Sequence, residues 1–420
     1  MTTPFPRPYL RERHRKALEP LFTKLRTSEV NNNCQMAQLL RQRSVLKSSA
    51  FFYEALAREP KPAGSSIGYF CHLVPEEIII AAGFHPQRLC ATDSYQARSG
   101  EELVSVEACP VVKSIAGLAR NDFFRSLPLV VLPGSCDGKT RLAELLSVTT
   151  EVYFLDVGRG ADYLENASFW AEKYRQFLHF LRKRFGITAS REKMLQACHA
   201  TNRRTEAFRR LYRYRAENPG AISAFDYFAA ASASFFCDPV TWTDQVHRLL
   251  EESQATAIKN TGWPRLLLAG SPILFPAFKL LEVLEEAHLE VAADLTCGAY
   301  GHLFDPVEID EETEDGLLRA LALKYIGGSL CPCFPNLGKL ADRIQDAVSE
   351  YRLDGVVYYV LRLCQVYDLQ TITLRQILKD GKVPLLAIKT DLEREDRGQL
   401  ITRLEALREM LGEKGERFKR

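Results

Sequence analysis

The chain has 420 residues, of which 55 are basic and 53 are acidic. This length predicts two domains, and the near balance of charge argues against a protein that binds nucleic acid or a membrane surface. No apolar run approaches the ~20 residues of a bilayer-spanning helix, and the first residues lack the pattern of a signal peptide, so we expect a cytoplasmic protein that acts on small molecules.

The first part of the chain is predicted to be helical. Residues 1–62 carry apolar side chains at three- and four-residue spacing, as in RERHRKALEPLFTKLRTSE, which indicates amphipathic helices. Residues 63–240 form the next predicted unit, an α/β domain with a helical extension. Its strands are expected at IGYFCH, PQRLCAT, LPLVVLPGS and EVYFLDV, and its extension contains the amphipathic segment SFWAEKYRQFLHFLRKRFG.

Residues 255–420 repeat the alternation of strands and helices. Strands are predicted at RLLLAGS, LEVAADLT, DGVVYYVLRL and VPLLAIKT, with helix patterns such as AFKLLEVLEEAH between them. Strands that alternate with helices pair in parallel. The predicted fold class is therefore α/β, with two flavodoxin-like, doubly wound parallel-sheet domains and with helical N-terminal and inter-domain segments.

Cysteines are the most informative residues of the sequence. Eleven are many for a reducing compartment, where disulfides rarely persist, so some are expected to bind metal or to react. Seven follow predicted strands, precede predicted helices or lie in a turn, and ligands of open α/β sheets gather beyond the strand ends. These are Cys71, Cys109, Cys136, Cys297, Cys331, Cys333 and Cys364. A helix N-terminus favours the thiolate, which is the form that ligates iron–sulfur clusters.

Other types of site fit the sequence less well. Structural zinc sites usually have paired ligands at short spacing. Only the single Cys-Pro-Cys, from Cys331 to Cys333, comes close to that pattern in this sequence. The segment GSCDGKT has three residues between its glycines where a phosphate loop needs four. Its Lys139, with Arg141, is instead expected to supply positive charge near an electron-rich site.

Several residues have both a structural and a functional interpretation. A buried cysteine often only packs, which we expect for Cys34, Cys90, Cys198 and Cys237. The acids Glu76 and Glu77 after Pro75 are typical of a helix start, and an active-site base is the less favoured interpretation. His72 and His302 are candidate catalytic proton donors because histidine titrates near neutral pH, although such residues more often pack or hydrogen bond.

Together, CHLVPEEIIIAAGFHPQRL, LPGSCDGKTR, AGSPILFP and DGVVYYVLRLCQVYD followed by GQLITRLEAL resemble the 2-hydroxyacyl-CoA dehydratase and benzoyl-CoA reductase subunits, over most of residues 67–410. In that family, dehydratase subunits hold a [4Fe-4S] cluster through three cysteines, and the matching positions are Cys71, Cys136 and Cys364. A related branch, the double-cubane cluster proteins, is homodimeric and has three more thiolate ligands. The resemblance makes Cys109, Cys297 and one of Cys331 or Cys333 the candidates for them.

Coordination supports the double-cubane branch. Two cubanes present eight iron corners, which six thiolates and one sulfide bridging the last two corners complete as an [8Fe-9S] cluster. The resemblance also implies a separate ATP-hydrolysing iron–sulfur activator as electron donor. The sequence has CQVYD where many dehydratase subunits have Cys-Asp-Pro, and AGSP where a cysteine or a glycine pair is common.

Three functions follow from this resemblance. The leading hypothesis is an iron–sulfur oxidoreductase of the double-cubane type that reduces a small molecule. The second is a 2-hydroxyacyl-CoA dehydratase subunit, a lyase with a [4Fe-4S] cluster, which requires a heteromeric partner and a coenzyme A site. The third is a non-enzymatic protein that stores or relays electrons.

Overall fold

Two parallel β-sheets with helices on their faces make up the computed structural model of the protein. The structure describes residues 12–23, 30–58, 65–89, 92–160, 163–256 and 260–417. Within these ranges, no helix has the length and apolarity that crossing a bilayer requires.

The first sheet has four strands in the order β2-β1-β3-β4, all parallel. Every residue of β1 and β3 is buried, as expected for a parallel sheet that is covered on both faces. The strands are β1 Ser66–Tyr69, β2 His85–Arg88, β3 Val130–Pro133 and β4 Val152–Leu155.

The second sheet repeats this topology with the order β6-β5-β7-β8, again all parallel. Its central strand β7 is buried along its whole length. The strands are β5 Arg265–Gly270, β6 Glu290–Thr296, β7 Gly355–Leu361 and β8 Leu385–Thr390. The predicted fold class, α/β with two flavodoxin-like sheets, is confirmed.

Helices connect the strands and cover the sheets. In the first half and the middle of the chain they are α1 Glu12–Thr23, α2 Val30–Arg43, α3 Ala50–Ala57, α4 Glu76–Ala81, α5 Ser94–Gly100, α6 Pro110–Leu118, α7 Asp122–Ser126, α8 Asp137–Leu146, α9 Tyr163–Phe185, α10 Arg191–Glu217, α11 Ala224–Ala233 and α12 Pro239–Ala255, with a 3-10 turn at Lys47–Ser49. In the second half they are α13 Lys279–Glu286, α14 Tyr300–Leu303, α15 Glu314–Gly327, α16 Leu337–Glu350, α17 Gln365–Leu369, α18 Thr371–Asp380 and α19 Arg397–Arg417.

The hydrophobic core crosses the predicted domain boundaries. Phe208 of α10 and Trp242 of α12 are fully buried in one cluster with Leu267 of the second sheet. Conversely, Leu321 of α15 lies in the cluster that contains Tyr69 of the first sheet. The division at residues 240 and 255 remains a prediction, but the two sheets share their covering helices.

Helices that follow the strands of one sheet thus cover the other sheet, an arrangement called the exchange of helices below. It brings the carboxyl ends of the strands in both sheets toward a common centre. The loops that leave β1 and β3 contain Cys71 and Cys136, and those that leave β6 and β7 contain Cys297 and Cys364. Residues from all four loops interact with one another or with shared cations, as described next.

Candidate metal centre

Cys71 follows β1 in an unusual backbone conformation. Its φ angle is +79°, in the left-handed region that non-glycine residues rarely occupy. Leu363, which immediately precedes Cys364, has a φ of +65°. Such strained residues cluster at functional sites, and here each forms part of the turn that leads from a strand end to a helix.

Three of the predicted cysteines occupy the position just before a helix. Cys109 precedes α6, Cys136 precedes α8 and Cys364 precedes α17. The helix N-terminus presents free N–H groups and a partial positive charge, both of which favour a thiolate. The N–H groups of Val112 and Lys139, in the first turns of α6 and α8, accordingly favour the thiolates of Cys109 and Cys136.

The last three of the seven predicted cysteines, like Cys364, come from the second half of the chain. Cys297 follows β6, and its N–H donates to the carbonyl of Gly270 at 3.2 Å. Cys331 and Cys333 lie in the turn after α15, where the side chain of Asn336 donates to the carbonyl of Cys331 at 3.0 Å. Cys331 is buried, and Cys333 is partly exposed.

The thiols interact with one another across the two halves. Cys364 interacts with Cys109, which lowers the pKa of Cys109 to about 7 and raises that of Cys364. Cys333 interacts with Cys136 and Cys331; as the protonated partner it lowers the pKa of Cys136 to about 6, and its own pKa is raised.

Two cations face these thiols. Burial disfavours the ammonium of Lys139, but the charges of Cys71, Cys136, Cys331 and Cys297 outweigh it and raise the pKa of Lys139. Burial likewise disfavours the imidazolium of His72, yet Cys297 and Cys71 raise its pKa to about 10.

The ring of His72 bridges the first and second halves of the chain. Its Nδ1 atom lies 3.4 Å from Sγ of Cys297 and 3.8 Å from Sγ of Cys71. Its Nε2 atom lies 3.3 Å from Oγ of Ser329, two residues before Cys331. One side chain therefore contacts three of the segments that carry thiols.

His302, the second candidate proton donor, has other neighbours. It is buried, its ring packs against Phe235, and its Nε2 lies 3.2 Å from Oε1 of Glu76. Burial lowers the pKa of His302 to about 3, so the ring is neutral. Arg141, which was expected to add positive charge together with Lys139, is exposed to solvent.

The remaining cysteines divide as follows. Cys198 is buried in α10, where burial raises its pKa to about 12, and Cys237 packs against the core of the second sheet. Both positions agree with the packing interpretation. The prediction for the side chains of Cys34 and Cys90 lies outside the part of the chain that the structure describes.

The chemistry of this site fits an iron–sulfur cluster. Soft thiolate sulfur is the donor that such clusters require, and all seven predicted cysteines contribute to one network together with two compensating cations. No group of three or more His, Cys, Asp or Glu side chains suited to a single metal ion was found among the described residues.

Some residues of the site were not predicted from the sequence. Thr296, Leu330 and Tyr367 line a small cavity next to His72 and Cys297, and Ser329 contacts His72. Ser329 and Leu330 lie in the loop after α15, Tyr367 lies in the short helix α17 and Thr296 ends β6, and no periodic pattern marks any of them as a site residue. Asp294 was also missed: it accepts hydrogen bonds from the N–H groups of Thr296 at 2.7 Å and Tyr300 at 3.0 Å, and so shapes the loop that contains Cys297.

Comparison with known proteins agrees with the predicted resemblance. The family model described as 2-hydroxyglutaryl-CoA dehydratase, D-component, matches residues 71–411. The putative dehydratase subunit YjiM of Escherichia coli strain K12 is 28% identical over 82% of this chain and 91% of its own length.

Two further relatives are subunits of named dehydratases. The beta subunit of (R)-2-hydroxyglutaryl-CoA dehydratase of Acidaminococcus fermentans is 22% identical over 87% of this chain and 97% of its own. The (R)-phenyllactyl-CoA dehydratase beta subunit of Clostridium sporogenes is 18% identical over 82% and 91%.

Proposed function

Since the chain belongs to the family of the 2-hydroxyglutaryl-CoA dehydratase D-component, we propose that it is an iron–sulfur enzyme with a double-cubane cluster that reduces a small molecule. One observation carries the proposal: four further thiols share a network with the three that the resemblance assigns to a four-iron cluster. Six protein thiolates are what an [8Fe-9S] cluster needs.

The ligands in this proposal come from both halves of the chain. Cys71, Cys109 and Cys136 belong to the first half, and Cys297, Cys364 and one of Cys331 or Cys333 to the second. The bound cluster would supply electrons of low potential. Lys139 and His72 offset the negative charge of the thiolates.

A small cavity next to the thiols supports a small substrate. The volume that the centre of a water-sized molecule can occupy in this cavity is about 10 Å³. The cavity therefore has room for roughly one molecule of that size. Its wall combines His72, Thr296 and Tyr367 with the apolar side chains of Leu330 and Leu340. His72 holds a proton there at neutral pH, since its pKa is raised to about 10 by the facing thiolates against the opposing effect of burial.

The proposal includes two partners. An ATP-hydrolysing iron–sulfur activator would deliver electrons one at a time, and the chain would pair with a second copy of itself. Two of the relatives are named as beta subunits, which supports function as part of an assembly.

A dehydratase subunit is the second candidate, and the names of the relatives favour it. In this case the chain would join a different subunit, and the pair would eliminate water from a 2-hydroxyacyl-CoA ester. Tight binding of acyl-CoA by the iron-loaded protein would support this candidate. A self-paired chain that binds no acyl-CoA would exclude it.

Cysteine variants test the proposed cluster. In anaerobically purified protein, Cys109→Ser and Cys297→Ser are expected to lose iron relative to the parent chain, because each removes a ligand that a single four-iron cluster does not need. Cys198→Ser is the matched control, because this buried cysteine packs in α10. Full iron content in both ligand variants would contradict the double cubane.

Turnover separates an enzyme from an electron store. The fully loaded, reduced protein is expected to oxidise its cluster when small reducible molecules are added and to release a reduced product. A loaded protein that is reoxidised by electron carriers alone would identify the non-enzymatic alternative.

A further inference from the structure

Two adjacent carboxylates at the start of α4 lie in the protein interior. Glu76 is 2% exposed and Glu77 is 0% exposed, whereas acids in the first turn of a helix are usually in contact with solvent. The helix-start interpretation explains their position in the chain. It does not explain why both side chains are buried, because burial of a carboxylate is costly unless it is fully paired.

Glu76 connects three elements. Arg204 of α10 binds both of its oxygens, one of them at 3.1 Å from Nη1. His302 of α14 approaches the same carboxylate at 3.2 Å. Burial opposes its ionisation, but the charge of Arg204 outweighs this and holds the pKa of Glu76 well below its usual range. The group is therefore a carboxylate that is paired with Arg204 and lies next to the ring of His302.

Glu77 is saturated with hydrogen bonds. Lys324 of α15 donates to Oε1 at 2.8 Å, and the hydroxyl of Thr201 donates to the same oxygen at 3.0 Å. The hydroxyl of Tyr325 donates to Oε2 at 2.8 Å. Since all these groups are buried, Glu77 fixes the distance between α4, α10 and α15 from within the core.

The partners of both acids adjoin segments that carry thiols. Glu76 lies five residues after Cys71, and His302 lies five residues after Cys297. Lys324 lies seven residues before Cys331 in the helix that leads to it. Glu76 and Glu77 thus link the Cys71 segment to the Cys297 segment and to the Cys331 segment.

We propose that Glu76 and Glu77 are positioning residues, which hold the thiols of the first half of the chain in register with those of the second. They act through Arg204, His302 and Lys324, and not as active-site bases. This inference rests on the proposed iron–sulfur function. A buried ion pair contributes little to stability compared with apolar residues of the same shape, but its directional bonds favour one arrangement of the elements over others.

The test compares buried carboxylates inside and outside this network. Glu76→Gln and Glu77→Gln keep the shape of the side chain but remove its charge. The control is Asp226→Asn in α11, a buried carboxylate that accepts hydrogen bonds from Ser44 and Tyr53. Each full-length protein is loaded with iron anaerobically. The loss of iron to a chelator is then followed by the visible absorption of the protein-bound cluster.

Both glutamine variants are expected to release iron about 10-fold more readily than the parent, because partners behind the ligands typically change metal affinity 10–100-fold. Asp226→Asn is expected to retain its iron even where its melting temperature falls. Tyr325→Phe removes one hydrogen bond to Glu77 and leaves every charge in place, so it provides a milder test should a glutamine variant fail to fold. Release of iron from all these variants at the parental rate would overturn the inference.

A second readout needs no cluster. In iron-free protein, the labelling rates of Cys71, Cys297 and Cys331 by a thiol reagent are expected to change together in Glu76→Gln and Glu77→Gln and to stay at parental values in Asp226→Asn. If the parent protein binds no iron, the proposed function fails, yet this readout still supports or rejects the positioning role.

Discussion

At the scale of single residues, charge compensation is the main feature of the site. Lys139 comes from the first turn of α8, donates to Oγ of Ser135 at 3.3 Å and interacts with five of the seven thiols. Such a charge stabilises whichever state of the centre is more negative. The sequence indicated this role for Lys139, but it also suggested Arg141, whose side chain is exposed.

Replacement of Lys139 by methionine is expected to make the midpoint potential of the bound cluster more negative, because the reduced state loses a stabilising positive charge. Each ~1.4 kcal/mol of lost interaction corresponds to roughly 60 mV for one electron. An anaerobic redox titration of the loaded protein measures this shift. Lys173→Met is the control, since Lys173 pairs with Asp156 at 3.7 Å; an equal potential in both variants would refute the role of Lys139.

The buried carboxyl group of Asp294 predicts that the stability of the fold depends on pH. Burial raises its pKa from 3.8 to about 6, although hydrogen bonds from Thr296, Tyr300 and Tyr227 oppose the rise. A carboxyl whose pKa is higher in the folded protein stabilises the fold fully below the unfolded value, and this contribution is lost as the pH rises through the folded value. The rise from 3.8 to about 6 is worth about 3 kcal/mol.

The iron-free parent is therefore expected to lose stability relative to Asp294→Asn between about pH 4 and pH 6. Denaturant titrations at several pH values in this range measure the difference. Tyr227→Phe keeps the carboxyl and removes a partner at 3.3 Å that lowers its pKa, so its loss of stability relative to Asp294→Asn is expected to extend to higher pH than in the parent. A constant difference between the parent and Asp294→Asn would show that Asp294 does not titrate in this range.

At the scale of elements, α5 and α6 pack unusually closely. Gly100 and Gly117 face the partner helix, and a Cβ at Gly117 would overlap the carbonyl oxygen of Gln96. Because α6 begins directly after Cys109, this close packing also fixes the position of one of the thiols.

Gly117→Ala is expected to destabilise the protein by about 3 kcal/mol, at the upper end of overpacking effects, because backbone atoms have to move. The melting temperature measures the change. Gly412→Ala in α19 is the control: no atom lies within 4 Å of the added methyl group, so helix propensity should make it neutral or slightly stabilising. Equal melting temperatures for the two variants would contradict the packing argument.

The strands and helices also show which elements can be predicted from sequence patterns. All eight strands were predicted from β-branched runs between helix patterns, and the structure confirms each of them. Helix α15 was not predicted. It packs between α9 and α10 and is buried at Leu317, Leu318, Leu321 and Tyr325, so its apolar residues do not form one stripe and give no amphipathic signal.

At the scale of the whole molecule, the centre depends on contacts that no local pattern records. Cysteines at strand ends could be predicted because parallel strands deliver their following loops to one edge of a sheet. The buried partners of Glu76 and Glu77 could not, since Arg204, His302 and Lys324 lie more than a hundred residues away along the chain. Their convergence results from the exchange of helices between the two sheets.

The central claim is that thiols from both sheets together hold one large iron–sulfur cluster. The most direct measurement is the iron and acid-labile sulfide content per chain of the parent protein, purified without oxygen. The proposal predicts about eight irons and about nine sulfides per chain. About four irons per chain would indicate a single cubane and contradict the double cubane. A protein that binds no iron under these conditions would contradict the claim entirely.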